Sequence, residues 1–191
     1  IKGIDVYRSN LFLRKNGKGF NLVLNYLSFT FFATLKLFWI DEKFDKILIY
    51  APSPITVGFI GFFAKIKFKV KSFLWVHDLW PESVKVAGNI HNKFILSLIN
   101  IMTSIIYSLN DIILVQSPLF KDYIKKQGVA DEKLIYYPYY AEEFYKPLDI
   151  TEKNNYPKGF NIVFAGNIGV AQSFDTIINA ALDLKKSNTK V

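Results

Sequence analysis

Residues 71–83 read Lys71-Ser72-Phe73-Leu74-Trp75-Val76-His77-Asp78-Leu79-Trp80-Pro81-Glu82-Ser83. The apolar run up to Val76 predicts a buried strand, because a strand covered on both faces shows no polar alternation. It stops abruptly at His77-Asp78. Pro81 then opens a helix, since its fixed φ and missing N–H suit a first helical turn. In an open α/β sheet, ligands bind outside the carboxyl ends of the strands, so a His-Asp pair there stands where chemistry is done. The ordinary pKa of histidine suits proton transfer near neutral pH, and a neighbouring carboxylate can orient the ring. A histidine that merely ends a strand, with no chemical role, is the competing reading.

The same alternation runs outward on both sides. Lys46 to Tyr50 reads as a short buried strand, stopped by Ala51-Pro52-Ser53-Pro54, and Ile55 to Ala64 as a helix carrying Gly58 and Gly61. A long apolar helix is expected from Lys93 to Leu109, then a strand from Asp111 to Val115 ending at Gln116-Ser117-Pro118. Leu119 to Gln127 reads as a helix with Gly128 as its stop, and Leu134 to Tyr137 as a strand ended by Pro138. Strands alternating with helices imply an α/β chain with a parallel sheet, hence a Rossmann-like domain, assigned to residues 1–144.

Residues 145–160 hold Pro147, Pro157, Gly159 and the polar run Thr151 to Asn155, which is linker composition. Asn161 to Ala165 restarts the pattern as a strand, and Phe174 to Lys186 follows as a helix. Residues 161–191 are therefore expected to be the first βα unit of a second domain. One such unit buries too little to stand alone. The expectation is a fragment, with further elements of both domains outside these 191 residues.

Hydrophobic residues make up 51% of the chain, enough for a packed core. The absence of cysteine excludes disulfides, thiolate metal sites and a cysteine nucleophile. The net charge of +8 is unevenly placed: residues 1–76 carry twelve Lys/Arg against four Asp/Glu, and residues 77–191 carry twelve of each. Only Arg8 and Arg14 are arginines, which argues against a sequence-specific nucleic-acid partner. A lysine-rich part suits a looser anionic partner, a membrane headgroup layer or a pyrophosphate. A plain compositional bias towards lysine is the alternative. Residues 21–40 are almost wholly apolar and aromatic, broken by Asn21, Asn25, Ser28, Thr30, Thr34 and Lys36. A helix buried on both sides is the expected reading there. A helix on a membrane surface, anchored by Phe and Trp, stands second, and a true span third.

Gly166-Asn167-Ile168-Gly169 lies between an expected strand and an expected helix. Glycines at such a turn let backbone N–H groups approach a phosphate, to which the helix N-terminus adds its dipole. Strand-to-helix turns also carry glycine for purely steric reasons, so the pattern alone is weak. Ser53 and Ser117 lack the flanking pattern of a nucleophile elbow, which disfavours a serine hydrolase. Trp75 and Trp80 are expected to pack, and His91 to lie in a surface loop.

His77-Asp78-Leu79-Trp80-Pro81-Glu82-Ser83 resembles the motif of bacterial family-4 retaining glycosyltransferases, in particular the branch that builds O-antigen and capsule sugars. Phe164 to Ser173 looks like the glycine-rich first loop of the donor domain of the same enzymes. Gln116-Ser117-Pro118, Gln127-Gly128-Val129 and the stretch Tyr136 to Phe144 are weaker matches, in the family's order. The resemblance implies the GT-B arrangement: two Rossmann-like domains, an N-terminal one for the acceptor and a C-terminal one for the nucleotide sugar, with no metal or other cofactor. It implies catalytic roles for His77 and Asp78, the first assisting at the reacting centre and the second orienting the imidazole or lining the acceptor side. Gly166, Asn167, Gly169 and Gln172 would bind the donor, and Glu82 and Ser83 would cap the next helix with acceptor contact possible.

Many family members carry a basic residue after the first glycine and a Lys-Gly pair further on. Asn167 and Gln172-Ser173 stand there instead, which leaves the neutralisation of the diphosphate unassigned. The implied function is transfer of a sugar from a nucleotide sugar to a lipid-linked glycan on the cytoplasmic face of the membrane, by a peripheral protein. These residues alone are expected not to catalyse it. The alternatives are a non-catalytic sugar- or lipid-binding module and a GT-B sugar-nucleotide epimerase.

Overall fold

The computed structural model describes residues 3–15, 19–88, 90–147, 157, 159–169 and 172–186. Its elements are α1 (Gly19–Leu37), β1 (Lys46–Ala51), α2 (Val57–Phe68), β2 (Lys71–Val76), α3 (Glu82–Ala87), α4 (Lys93–Leu109), β3 (Ile112–Val115), α5 (Pro118–Lys126), a 3₁₀ turn (Asp131–Lys133), β4 (Leu134–Tyr136) and α6 (Phe174–Lys186). The four strands form one all-parallel sheet in the order β1-β2-β3-β4. The chain is thus α/β with a Rossmann-like parallel sheet, and each expected strand up to residue 137 is present within a residue or two.

Contacts divide the chain into two units, Ile1–Lys85 with Ile90–Tyr139, and Val86–Asn89 with Tyr140–Val191. The first holds the sheet. Successive side chains alternate across a strand, so the register Ile49↔Leu74↔Ile113↔Leu134 puts one row of apolar residues on a single face. Ile49, Ala51, Leu74, Val76, Ile113, Val115 and Leu134 on that face pack with Ile106 and Tyr107 of α4 and Ile124 of α5 as one buried cluster. Two glycines set how close α2 lies. A Cβ at Gly58 would stand 2.3 Å from Ile106 Cγ2, and one at Gly61 2.3 Å from Ile49 Cγ1. The opposite face carries Leu48, Tyr50, Phe73, Trp75, Ile112, Leu114 and Ile135. Trp75 and Leu114 are buried there yet lie outside the cluster, while Leu48, Tyr50 and Ile135 are exposed.

Three expectations need correction. Helix α2 starts two residues later than expected, because Pro54 to Thr56 form its entering turn, and runs on to Phe68 before Lys69 adopts a left-handed φ of 55°. Helix α1 is not buried on both sides. Its buried residues are Asn25 and Ser28, while Phe20, Val23, Leu27, Phe31 and Leu35 are exposed. The reason is polar: Phe12 N–H donates to Ser28 Oγ at 2.9 Å, Arg14 Nε to Asn25 Oδ1 at 3.0 Å, and Asn25 Nδ2 to the Phe12 carbonyl at 2.6 Å. These bonds fix which face turns inward, and α2 is the helix it packs on. Finally, residues 161–165 belong to no strand, since no other described segment offers them a ladder. The linker expected at 145–160 lies mostly outside the described residues.

Candidate functional site

The carboxyl ends of the parallel strands lie together, and the first residues beyond β2, β3 and β4 are hydrogen-bonded to a neighbouring strand or loop. His77 N–H donates to the Ala51 carbonyl at 3.2 Å, and Tyr137 N–H to the Val115 carbonyl at 2.8 Å. Gln116 Nε2 donates to the His77 carbonyl at 3.0 Å, so the loop after β3 holds the loop after β2. Trp75 Nε1 donates to the Tyr137 carbonyl at 3.2 Å. Ser117 caps α5, accepting from Leu119 N–H at 3.2 Å.

Tyr50 pairs in register with Trp75, and His77, Tyr137 and Tyr139 follow their strands at two-residue steps, so all five share the face opposite the core. The His77 ring centroid lies 4.3 Å from that of Trp75, 4.4 Å from Tyr50 and 4.7 Å from Tyr139. The Tyr139 hydroxyl hydrogen-bonds His77 Nδ1. His77 Nε2 is buried and has no hydrogen-bond partner among the described residues. Loss of hydration among these rings pushes the imidazole pKa below its ordinary 6.5. The neutral ring therefore predominates at neutral pH, with one nitrogen held by Tyr139 and the other uncommitted.

Asp78 is half-buried and is not the partner of Nδ1; that place is taken by Tyr139. Its charge acts elsewhere. Burial first, then Tyr123 and Asp78, push the Tyr107 phenol well above its ordinary value, and the Tyr107 hydroxyl is buried without a partner among the described residues. Glu82 begins α3, where its charge favours the helix dipole, and its Oε1 accepts from the Tyr123 hydroxyl at 3.2 Å. Ser83 donates its N–H to the Leu79 carbonyl at 2.8 Å, and its Oγ is buried without a partner among the described residues. Trp80 joins the buried cluster, as expected for packing, with Gln127 Nε2 donating to its carbonyl at 3.2 Å. Thus His77 stands in one aromatic environment, whereas the charge of Asp78 acts on Tyr107 and Glu82 meets Tyr123.

In the second unit, Gly166, Asn167, Gly169 and Gln172 are all exposed and precede α6. Gln172 N–H donates to the Gly169 carbonyl at 3.1 Å, and a Cβ on Gly169 would stand 3.0 Å from Gln172 Oε1. Phe164 and Phe174 meet edge to face at 4.9 Å, bracketing the turn. Val170 and Ala171 lie outside the described residues.

The chain matches no protein-family model and no curated protein. The site is therefore argued from its geometry. The motif matches that contain Gln116 and Tyr139 gave them no role, and Tyr50 lay in no motif. Their signal is present in the parity of the strands: Trp75 and His77, and Tyr137 and Tyr139, are spaced by two, which puts them on one face once the register is known.

Proposed function

We propose that this chain carries the acceptor-side domain of a family-4-type retaining glycosyltransferase, which moves a sugar from a nucleotide sugar to a lipid-linked glycan. The observation that carries this reading is the His77 ring at the carboxyl end of β2, held at Nδ1 by Tyr139 and left at Nε2 without a hydrogen-bond partner among the described residues. In the transfer, the bond between the anomeric carbon and the diphosphate oxygen breaks with its electron pair going to the diphosphate, an acceptor hydroxyl oxygen bonds that carbon from the same side, and the hydroxyl proton passes to the departing diphosphate oxygen. The neutral His77 ring assists at the sugar. In the second unit, taken by itself, backbone N–H groups of the Gly166–Gly169 turn suit donation to a phosphate. Aromatic faces at Tyr50 and Tyr139 suit the apolar faces of sugar rings.

The same rings also support a second reading, a non-catalytic sugar-binding module, which needs the aromatic cluster but not an uncommitted imidazole nitrogen. One experiment separates the two. His77→Ala and Tyr50→Ala alleles replace the native gene in the organism that carries it, and the surface polysaccharide is resolved by size. The transferase reading expects His77→Ala to abolish a defined glycan band with the protein still present at its normal level. An unchanged glycan profile in His77→Ala would sink it. Loss in Tyr50→Ala alone would favour the binding module.

A further inference from the structure

The proton of the neutral His77 ring has two possible places, Nδ1 and Nε2, and the surroundings choose between them. The main chain there is fixed: His77 N–H donates to the Ala51 carbonyl at 3.2 Å, and Gln116 Nε2 donates to the His77 carbonyl at 3.0 Å. Nδ1 meets the Tyr139 hydroxyl. A phenol O–H is a better donor than a neutral imidazole N–H, and an imidazole lone pair is a better acceptor than a phenol oxygen. Among the described residues no other acceptor competes for that hydroxyl. Nor does a carboxylate hold the proton on Nδ1: burial is what lowers the pKa of the ring, and the charge of Asp78 acts on Tyr107. The other nitrogen gives the same answer. Nε2 is buried with no hydrogen-bond partner among the described residues, and the rings of Trp75, Tyr50 and Tyr139 lie 4.3, 4.4 and 4.7 Å from the imidazole, centroid to centroid. Aromatic faces are electron-rich, so they repel a bare lone pair and attract an N–H.

We propose that Tyr139 is a positioning residue, whose hydroxyl donates to Nδ1 and thereby keeps the His77 proton on Nε2, so that the imidazole is a hydrogen-bond donor and not a base. The group it serves is an oxygen lone pair of a sugar, on a hydroxyl or on the ring oxygen. The ammonium of an unacetylated amino sugar offers no lone pair and is disfavoured. Trp75 is buried and tied through Nε1 to the Tyr137 carbonyl at 3.2 Å, whereas Tyr50 and Tyr139 are each 55% exposed. Tyr139 is held at the imidazole by its hydroxyl, so Tyr50 is the ring that turns aside to uncover Nε2. A donor at Nε2 leaves the proton of the acceptor hydroxyl to the departing diphosphate oxygen. The choice of a sugar rests on the transferase reading; the place of the proton does not.

The test is ¹⁵N NMR of the full chain labelled in histidine, at about pH 8, where the His77 ring is neutral. The expected His77 signature is a protonated Nε2 and an unprotonated Nδ1 shifted by its hydrogen bond. Tyr139→Phe keeps the ring and removes the hydroxyl, and is expected to move both nitrogens towards the averaged values of a ring that exchanges between tautomers. Tyr50→Ala is expected to keep the tautomer and to speed exchange of the Nε2 proton with water at least about tenfold. Unmoved His91 resonances show that each variant keeps its fold. A protonated Nδ1 in the wild-type protein overturns the proposal, as do His77 resonances that Tyr139→Phe leaves in place, and unchanged exchange in Tyr50→Ala removes that ring from it. Function is read separately, in the surface polysaccharide of the native organism. His77→Gln, whose amide N–H stands in for Nε2–H, is expected to keep part of the glycan that His77→Ala loses, and His77→Glu, an acceptor only, none of it. Retention in His77→Glu with loss in His77→Gln would show a base and overturn the donor role. A glycan that His77→Ala leaves intact would end the transferase reading alone, with the NMR signature still deciding the place of the proton.

Discussion

The Tyr139 hydroxyl meets Nδ1 of His77, 62 residues earlier in the chain, at the carboxyl end of the sheet. Two strands that are not neighbours in sequence thus decide which imidazole nitrogen is free. Tyr139 also supplies one of the rings that remove water from His77. Tyr139→Ala is expected to rehydrate the imidazole and raise its pKa towards the ordinary 6.5. An NMR titration of the two histidines checks this, and a His77 pKa that stays put or falls further would contradict it.

The depressed His77 pKa has a consequence for stability. Below about pH 6.5 the unfolded chain binds a proton that the folded chain resists, so stability falls as pH drops from that value through the folded pKa. At higher pH the contribution is flat. Melting temperature measured from pH 7.5 to 5 is expected to decline, and His77→Gln is expected to shallow that slope. Equal slopes in the two proteins would show that His77 is not the group responsible.

Gly58 and Gly61 set the distance of α2 from α4 and from β1. In Gly61→Ala the new methyl would meet Ile49 side-chain carbons at 2.3 and 2.5 Å, so the helix must move or Ile49 must repack. Each of Gly58→Ala and Gly61→Ala is expected to cost about 1–3 kcal/mol, despite alanine's better helix propensity. Urea unfolding checks the sign: stabilisation by either change would mean that the close approach is not a constraint.

At the amino ends of β2 and β3, Asp111 Oδ2 accepts from Ser72 N–H at 2.9 Å, and Asp111 Oδ1 from Lys65 Nζ at 2.9 Å. Burial works to raise the Asp111 pKa, but the Ser72 N–H and the Lys65 ammonium outweigh it and hold the carboxyl below its ordinary 3.8. Asp111→Ala strands the N–H of the buried Ser72 and is expected to cost about 1–3 kcal/mol. Lys65→Met removes only a partly exposed ion pair and is expected to cost about 0–1 kcal/mol. The Asp111 contribution is present above the ordinary carboxylate pKa and is lost as pH falls through the lower folded value. Chemical denaturation of both variants at pH 7 and pH 3 reads out the difference.

The sheet was legible in the sequence because a buried parallel strand is a short apolar run bounded by breakers, and Pro52, His77, Gln116 and Pro138 bound these runs plainly. His77 was legible for the same reason, standing where such a run ends. Tyr139 was not, since a tyrosine in a loop carries no local sign that it will reach back to an imidazole. Asp78 beside His77 in sequence invited a pairing that alternation of side chains forbids: consecutive residues at a strand end point to opposite faces.

Local pattern by itself determined the four strands of the sheet, their order in the chain and the α/β class, because hydrophobic period and breakers act over a few residues. Only the tertiary structure decided which face of α1 turned inward, what surrounded His77, and which of its nitrogens was left uncommitted. The apolar content of residues 21–40 marks a helix but does not say which side is buried. That was settled by Phe12 and Arg14, whose hydrogen bonds to Ser28 and Asn25 form only once the chain has folded back on itself. Burial and hydrogen bonding between residues far apart in sequence are properties of the packed chain, and they place the rings around His77 just as they leave the apolar stripe of α1 facing outward.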